Sequence, residues 1–290
     1  MLHSSPSAQK WTSAFFVIIL LCLSGYLQAQ EKIKLEKVWA TDTVFKTPEC
    51  VAIDYENNQL YVSNVNKNPW ILDGNGYISI INFKGEMINP KWIDGMHSPK
   101  GMAVHDGFLY VADIDAVFKI DIKKGKIARI IKTDPTFGLN DIAISKKGKI
   151  YISGSNSNRI FTIEKNKIKL IKEDDYDRPN GLLAEDDRLL LLTSGSSKFF
   201  ELDFEKFEKK QLASELGHGD GIAPVGDGTY LLSDWQGRIF YLDKYNNVTT
   251  LLDTREKNIN TADVSYHQEL NLLFVPTFFD NRVLAFKLVK

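Results

Sequence analysis

Glu49, Lys100, Asn140, Asn180 and Asp220 open five short segments of similar wording, "ECVAID", "KGMAVH", "NDIAIS", "NGLLAE" and "DGIAPV"; Ala262 opens a sixth, "ADVSYH". The intervals between these six residues are 51, 40, 40, 40 and 42. So even a spacing carries distant residues to one place if the chain closes on itself. Glu49 and Asp220 would then bring two carboxylates, and Asn140 and Asn180 two amide oxygens, with no His or Cys among them. An all-oxygen set suits a hard divalent cation such as calcium, magnesium or manganese. Two negative charges leave such a site near neutral, and the gap between ligands leaves room for a substrate oxygen. Turn chemistry accounts for the Asn-Gly and Asp-Gly pairs. It does not account for Glu49, a poor turn former in the same register.

The elements that must position these residues follow from what comes after each opening. A turn such as "DYENNQ", "SKKGK" or "VGDG" leads into a short apolar run, "LYVSN", "LYVAD", "IYISG", "LLLTS", "YLLSD" or "LFVPT". A third run follows ("GYISIIN", "NRIFTIE", "GRIFYLD"), then a weaker fourth ("KIARIIK", "VTTLLD"). These runs are short, β-branched or aromatic, and bounded by Gly, Asn, Asp and Ser, which predicts strands. Six units of four strands at a period near 40 predict an all-β fold, a six-bladed β-propeller. The sixth unit ends at Lys290 after three strands, and "KIKLEKVWA" at 32–40 alternates like a strand. It is expected to complete the last blade and close the ring, hiding two sheet edges. The long first interval contains an insertion, "NVNKNPWILDGNG", at 64–76.

The N-terminus is of another kind. One Lys in the first eleven residues, an apolar run from Ala14 to Leu23, and Ala29 before "QEK" have the layout of a secretory signal. The run is shorter than the roughly 20 residues that span a bilayer. Residues 1–29 are therefore expected to be a signal peptide and 30–290 one propeller domain, exported to the periplasm or secreted. Leu21 before Cys22 argues against a lipid anchor there. With Cys22 removed only Cys50 remains, so no internal disulfide forms. The net charge is −1 with acids and bases interspersed, which argues against nucleic acid as a partner. A small-molecule substrate and a monomer are expected, with no membrane span in the mature chain.

With "RPNGL" at 178–182 and "DGI" at 220–222, the chain resembles the senescence marker protein / gluconolactonase / luciferin-regenerating enzyme family. Its relatives include diisopropyl fluorophosphatase and the paraoxonases. The resemblance covers the whole mature chain, although only these short motifs are specific. It implies a divalent cation in the central channel, calcium first, with magnesium, manganese or zinc as alternatives. The implied ligands are Glu49 of the first blade, Asn140 and Asn180 of the third and fourth, and Asp220 of the fifth. Three departures stand out. Gly138 occupies the place where members with sugar-lactone activity carry Arg. "ECV" replaces Glu-Gly-Pro, putting Cys50 in place of Gly. Lys100 falls between Glu49 and Asn140 in the ring, where an ammonium either competes with the cation or serves the substrate as an anion grip or oxyanion partner.

The expected function is an exported, metal-dependent hydrolase of a lactone or related ester, its carbonyl polarised by the ion and attacked by water. Asp220 or another carboxylate is the expected proton acceptor, with Lys100 and His218 as substrate contacts. His97, three residues before Lys100, has a weaker claim, and Trp235 is expected to pack between blades. The alternative is a non-catalytic propeller binding a carbohydrate, peptide or protein, since "SPKGMAVHDGFLYVADIDAVFKID" is similar to an NHL repeat. Fold alone does not decide between them. "DGNGYIS" at 73–79 fails the calcium-loop pattern at Tyr77 and Lys84. No nucleophile-elbow, Walker or zinc-protease motif occurs.

Overall fold

In the computed structural model, which describes Met1 and residues 33–289, nearly every element is a strand. Strand β1 (Lys34–Ala40) comes first. Blade 1 is β2 (Pro48–Asp54), β3 (Gln59–Asn64), β4 (Gly76–Asn82) and β5 (Met87–Met96). Blade 2 is β6 (Met102–His105), β7 (Phe108–Asp113), β8 (Ala116–Asp121) and β9 (Lys126–Lys132). Blade 3 is β10 (Leu139–Ile144), β11 (Ile150–Gly154), β12 (Arg159–Glu164) and β13 (Lys167–Leu170). Blade 4 is β14 (Pro179–Ala184), β15 (Arg188–Thr193), β16 (Phe199–Asp203) and β17 (Lys209–Ala213). Blade 5 is β18 (Gly219–Gly226), β19 (Thr229–Asp234), β20 (Arg238–Leu242) and β21 (Val248–Asp253). The last is β22 (Ser265–His267), β23 (Leu272–Pro276) and β24 (Val283–Val289).

Blades 1 to 5 are four-stranded sheets in sequential order, and the sixth sheet runs β1-β24-β23-β22. The expected six-bladed propeller, closed by an N-terminal strand on the last blade, is therefore what the chain forms. Closure leaves no blade with an unpaired outer β24 edge. It is also held at the strand's end, where Thr41 N–H donates to the Val283 carbonyl at 3.0 Å. The propeller body spans Leu35–Leu288. The expected signal peptide and Cys22 lie outside the described residues. Among the described residues, no helix is long and apolar enough to cross a membrane.

Position within a blade sets composition. The second strands β3, β7, β15 and β19 share one burial pattern, five buried residues after a half-buried first. Both of their faces pack against neighbouring blades, so "RLLLLT" is apolar without alternation. The outermost strands β9 and β21 are mostly exposed and carry Lys, Arg and Thr. The core lies between blades: Tyr61, Ile78 and Met96 of blade 1 pack with Leu109, Val111 and Phe118 of blade 2. Leu190, Leu192 and Phe199 of blade 4 pack in the same way with Tyr230, Leu232 and Phe240 of blade 5.

The innermost strands carry a feature that decides the site. In β2, β10, β14 and β18 the pairing with the second strand skips two residues: 49–50, 140–141, 180–181 and 220–221. Such a bulge re-aims a side chain that would otherwise lie in the sheet face. In three of the four, a freed N–H group finds a serine hydroxyl. Cys50 N–H donates to Ser63 Oγ at 2.9 Å, Asp141 N–H to Ser153 Oγ at 2.8 Å, and Gly221 N–H to Ser233 Oγ at 2.7 Å. The Ser in "YVSN", "YISG" and "LLSD" thus holds the bulges of β2, β10 and β18 open.

Candidate functional site

Glu49, Lys100, Asn140, Asn180, Asp220 and His218 line one cavity of about 480 Å³. All six residues singled out in the sequence are brought together. His218 stands at the exposed rim, whereas the other five are buried, between 2% and 8% exposed. Ala262, in the sixth register position, contributes no polar group and packs with Val65, Phe278 and Trp235. The ring therefore has five polar seats and one apolar seal.

Hydrogen bonds orient the amides. Asn140 Nδ2 donates to Ser155 Oγ at 3.0 Å, and Ser155 Oγ donates to the Pro179 carbonyl at 2.7 Å. Asn180 Nδ2 donates to Asp220 Oδ1 at 2.9 Å. Asn140 Oδ1 and Glu49 Oε2 are then left buried with no hydrogen-bond partner. A buried acceptor without a donor costs about 1–3 kcal/mol, and two in one cavity mark a place where a cation or a donor belongs.

Lys100 does not supply that donor. Its Nζ turns to Ser98 Oγ at 3.3 Å and lies 4.5 Å from the centre of the Trp70 ring. Trp70 comes from the 64–76 insertion, which thus covers the ammonium with an aromatic face. His97 anchors the same insertion, its Nδ1 accepting from Gly74 N–H at 3.0 Å; it is a brace and not a lining residue.

The buried charges shift one another. Burial raises the Glu49 carboxyl well above the ordinary range, the Asp220 and Asp141 charges push it further, and Lys100 opposes. Burial, then Asp141, pushes Asp220 up to about 7, against Lys100 and the Asn180 hydrogen bond. Burial lowers Lys100, although Glu49, Asp113 and Asp220 all favour its charged form. One ammonium therefore leaves the carboxylates undercompensated, and a further positive charge is favourable here. Beneath the site, Asp141 sits where Gly101 leaves space: a Cβ on Gly101 would lie 2.1 Å from Asp141 Oδ1. Cys50 is buried beside Asp263, and burial raises its thiol well above the ordinary value. A protonated, enclosed thiol is packed and not nucleophilic.

Trp235 packs edge-to-face on Phe278, as expected, and also lines the cavity. Pro69, Trp70, Arg178 and Phe278 line it too and were not singled out from the sequence. Arg178 had a signal, two residues before Asn180 in "RPNGL"; Trp70 had only an aromatic residue inside a polar insertion. Among the described residues, no three His, Cys, Asp or Glu side chains are grouped to hold a metal. The cluster at the channel mouth is of a different kind, two carboxylates with two amides.

The molecule is thus a six-bladed β-propeller with an oxygen-rich, partly unsatisfied cluster at one mouth of its channel. No protein-family model and no curated protein matches the chain in sequence. In structure it is similar to a gluconolactonase from Xanthomonas campestris, with 14% identity over 84% of this chain and 87% of that one, at a TM-score of 0.65. It is also similar to virginiamycin B lyase from Staphylococcus aureus, in a catalytically inactive variant with quinupristin: 13% identity over 89% and 99%, TM-score 0.61. A streptogramin B lyase matches at 10% identity over 89% and 98%, TM-score 0.60. At these identities the likeness is one of fold.

Proposed function

We propose that the protein is an exported hydrolase of lactones or related esters, related to the gluconolactonase group, that works with a divalent cation at the channel mouth. The observation carrying this reading is the pair of buried acceptors, Glu49 Oε2 and Asn140 Oδ1, left without donors beside Asp220 and Asn180. The donor set is all oxygen, so a hard ion, calcium first, is the match in chemistry. Glu49, Asn140, Asn180 and Asp220 would hold it. A bound divalent ion supplies Lewis-acid polarisation of a carbonyl oxygen.

The chain's own residues do the rest. Asp220 takes a proton from the attacking water. Water's oxygen bonds to the acyl carbon, the acyl C–O bond breaks, and the leaving oxygen receives the proton that Asp220 took, giving a hydroxy acid from a lactone. Lys100, desolvated under Trp70, presents its ammonium to negative charge developing in the cavity. Ser155 keeps Asn140 Oδ1 aimed inward by holding the other end of the amide. Export rests on the layout of residues 1–29.

The test is a titration of calcium or manganese into purified, chelated protein, followed by thermal unfolding and by turnover of a panel of lactones. Ion-dependent stabilisation with ion-dependent turnover is expected. No stabilisation by any divalent ion, together with no turnover, refutes the reading and leaves a binding propeller.

A further inference from the structure

Above the oxygen cluster the cavity wall changes character. Arg178 lines it from the exposed rim, and its guanidinium has no hydrogen bond or ion pair among the described residues. Its backbone, by contrast, is clamped. Asp177 and Arg178 both have φ of 53°, a left-handed pair of non-glycine residues. Arg178 N–H donates to Asn158 Oδ1 at 2.9 Å, and its carbonyl accepts from Ser194 N–H at 3.0 Å and Ser194 Oγ at 3.3 Å. These bonds hold the Arg178 backbone from two sides and fix the point from which its side chain reaches the cavity. Opposite in kind are Pro69 and Trp70 from the insertion, with Trp235 and Phe278.

Charge points the same way. The cavity's charged lining consists of Glu49, Asp220, Lys100 and Arg178, with His218 at the rim. Two buried carboxylates face one buried ammonium, and Arg178 adds a second cation only at the exposed rim. A divalent ion held by the carboxylates would leave two positive charges facing the substrate. A neutral sugar lactone gives them nothing to pair with, and aromatic walls suit a flat apolar body better than a ring of hydroxyls.

We infer that the substrate is an anionic ester or lactone with a flat apolar body, its carboxylate read by Arg178 and Lys100 and its body held against Trp70 and Trp235. This deepens the hydrolase proposal and rests on its cation centre. Arg178 acts here as a specificity residue: its fork matches a carboxylate, whereas Lys100 contributes a point charge already sheltered by Trp70.

Binding, not turnover, tests it. Calorimetry on calcium-saturated protein compares phenylacetate with its uncharged counterpart phenylacetamide. Phenylacetate is expected to bind at least tenfold tighter, the effect of about one charge-assisted hydrogen bond. Arg178→Gln is expected to cut phenylacetate affinity about tenfold, leave phenylacetamide unaffected, and retain the calcium-induced rise in unfolding temperature, which also reports a folded site. Trp70→Ala is expected to weaken both probes. Equal affinity for the two probes overturns the anionic substrate, and a preference undiminished in Arg178→Gln overturns Arg178 as the residue that reads it. No calcium-induced stabilisation of the unsubstituted protein overturns the cation centre instead, so the two failures are distinguishable.

Discussion

Replacing Asp220 by Asn separates a site built for a cation from one that is merely polar. Asp220 is buried and its carboxyl is pushed from the ordinary 3.8 up to about 7. A carboxyl raised on folding binds its proton more tightly in the folded state, so it subtracts stability as the pH rises. The penalty is absent below about pH 4, grows between about 4 and 7, and is complete above 7. At about 1.4 kcal/mol per pH unit the full penalty is about 4 kcal/mol, and sharing of charge with Glu49 and Asp141 brings it to roughly 2–4 kcal/mol. Asp220→Asn keeps an oxygen for Asn180 Nδ2 and removes the charge. In chelator at pH 8 the variant is therefore expected to be more stable than the parent by roughly 2–4 kcal/mol, or about 5–10 °C in unfolding temperature. At pH 4 the two should coincide. Calcium at one thousand times the dissociation constant is expected to reverse the order, because the parent then gains about 4.1 kcal/mol and the variant has lost a charged ligand. Thermal and urea unfolding at the two pH values, with chelator and with calcium, measure all four corners. A variant less stable than the parent in chelator at pH 8, with no calcium-dependent crossing, would refute the electrostatic reasoning.

Three further outcomes are expected. Ser155→Ala releases the Asn140 amide; it should cost about 1 kcal/mol in stability and weaken calcium binding about tenfold or more, as loss of a ligand's orienting partner does, read by calorimetry. Unchanged affinity would show that Asn140 is not held for an ion. Gly181→Ala places a Cβ 2.0 Å from the Asp220 carbonyl oxygen, which forces β14 and β18 apart; a loss of roughly 1–3 kcal/mol together with the calcium response is expected by thermal unfolding, and an unchanged profile would contradict the close approach. Deleting residues 35–40 exposes the β24 edge; aggregation or a large fall in unfolding temperature should appear by size-exclusion chromatography and scanning calorimetry, and a monodisperse, equally stable product would argue against closure by β1.

The blade period was legible in the sequence because each blade repeats one local pattern, turn and strand, that needs no distant partner to be recognised. Ring closure was legible as well, since a missing strand at one end and a spare strand at the other are complementary facts about a linear chain. The six openings followed from that period, and with them the gathering of Glu49, Asn140, Asn180 and Asp220, because symmetry places equivalent residues at equivalent radius. What the sequence could not decide was direction. Lys100 has the same register as its neighbours, yet its ammonium points to Ser98 and Trp70, because the insertion between β3 and β4, with Trp70 thirty residues earlier in the chain, folds back over it. Glu49 Oε2 and Asn140 Oδ1 are unpaired only because Ser155 takes the other end of the Asn140 amide and no donor reaches the Glu49 carboxylate. Arg178 belongs to a motif visible from the start, but its free guanidinium depends on a backbone clamped by Asn158 and Ser194 from other loops. Periodicity is a property of the chain; which way a side chain turns at the bulge is a property of what packs against it in space.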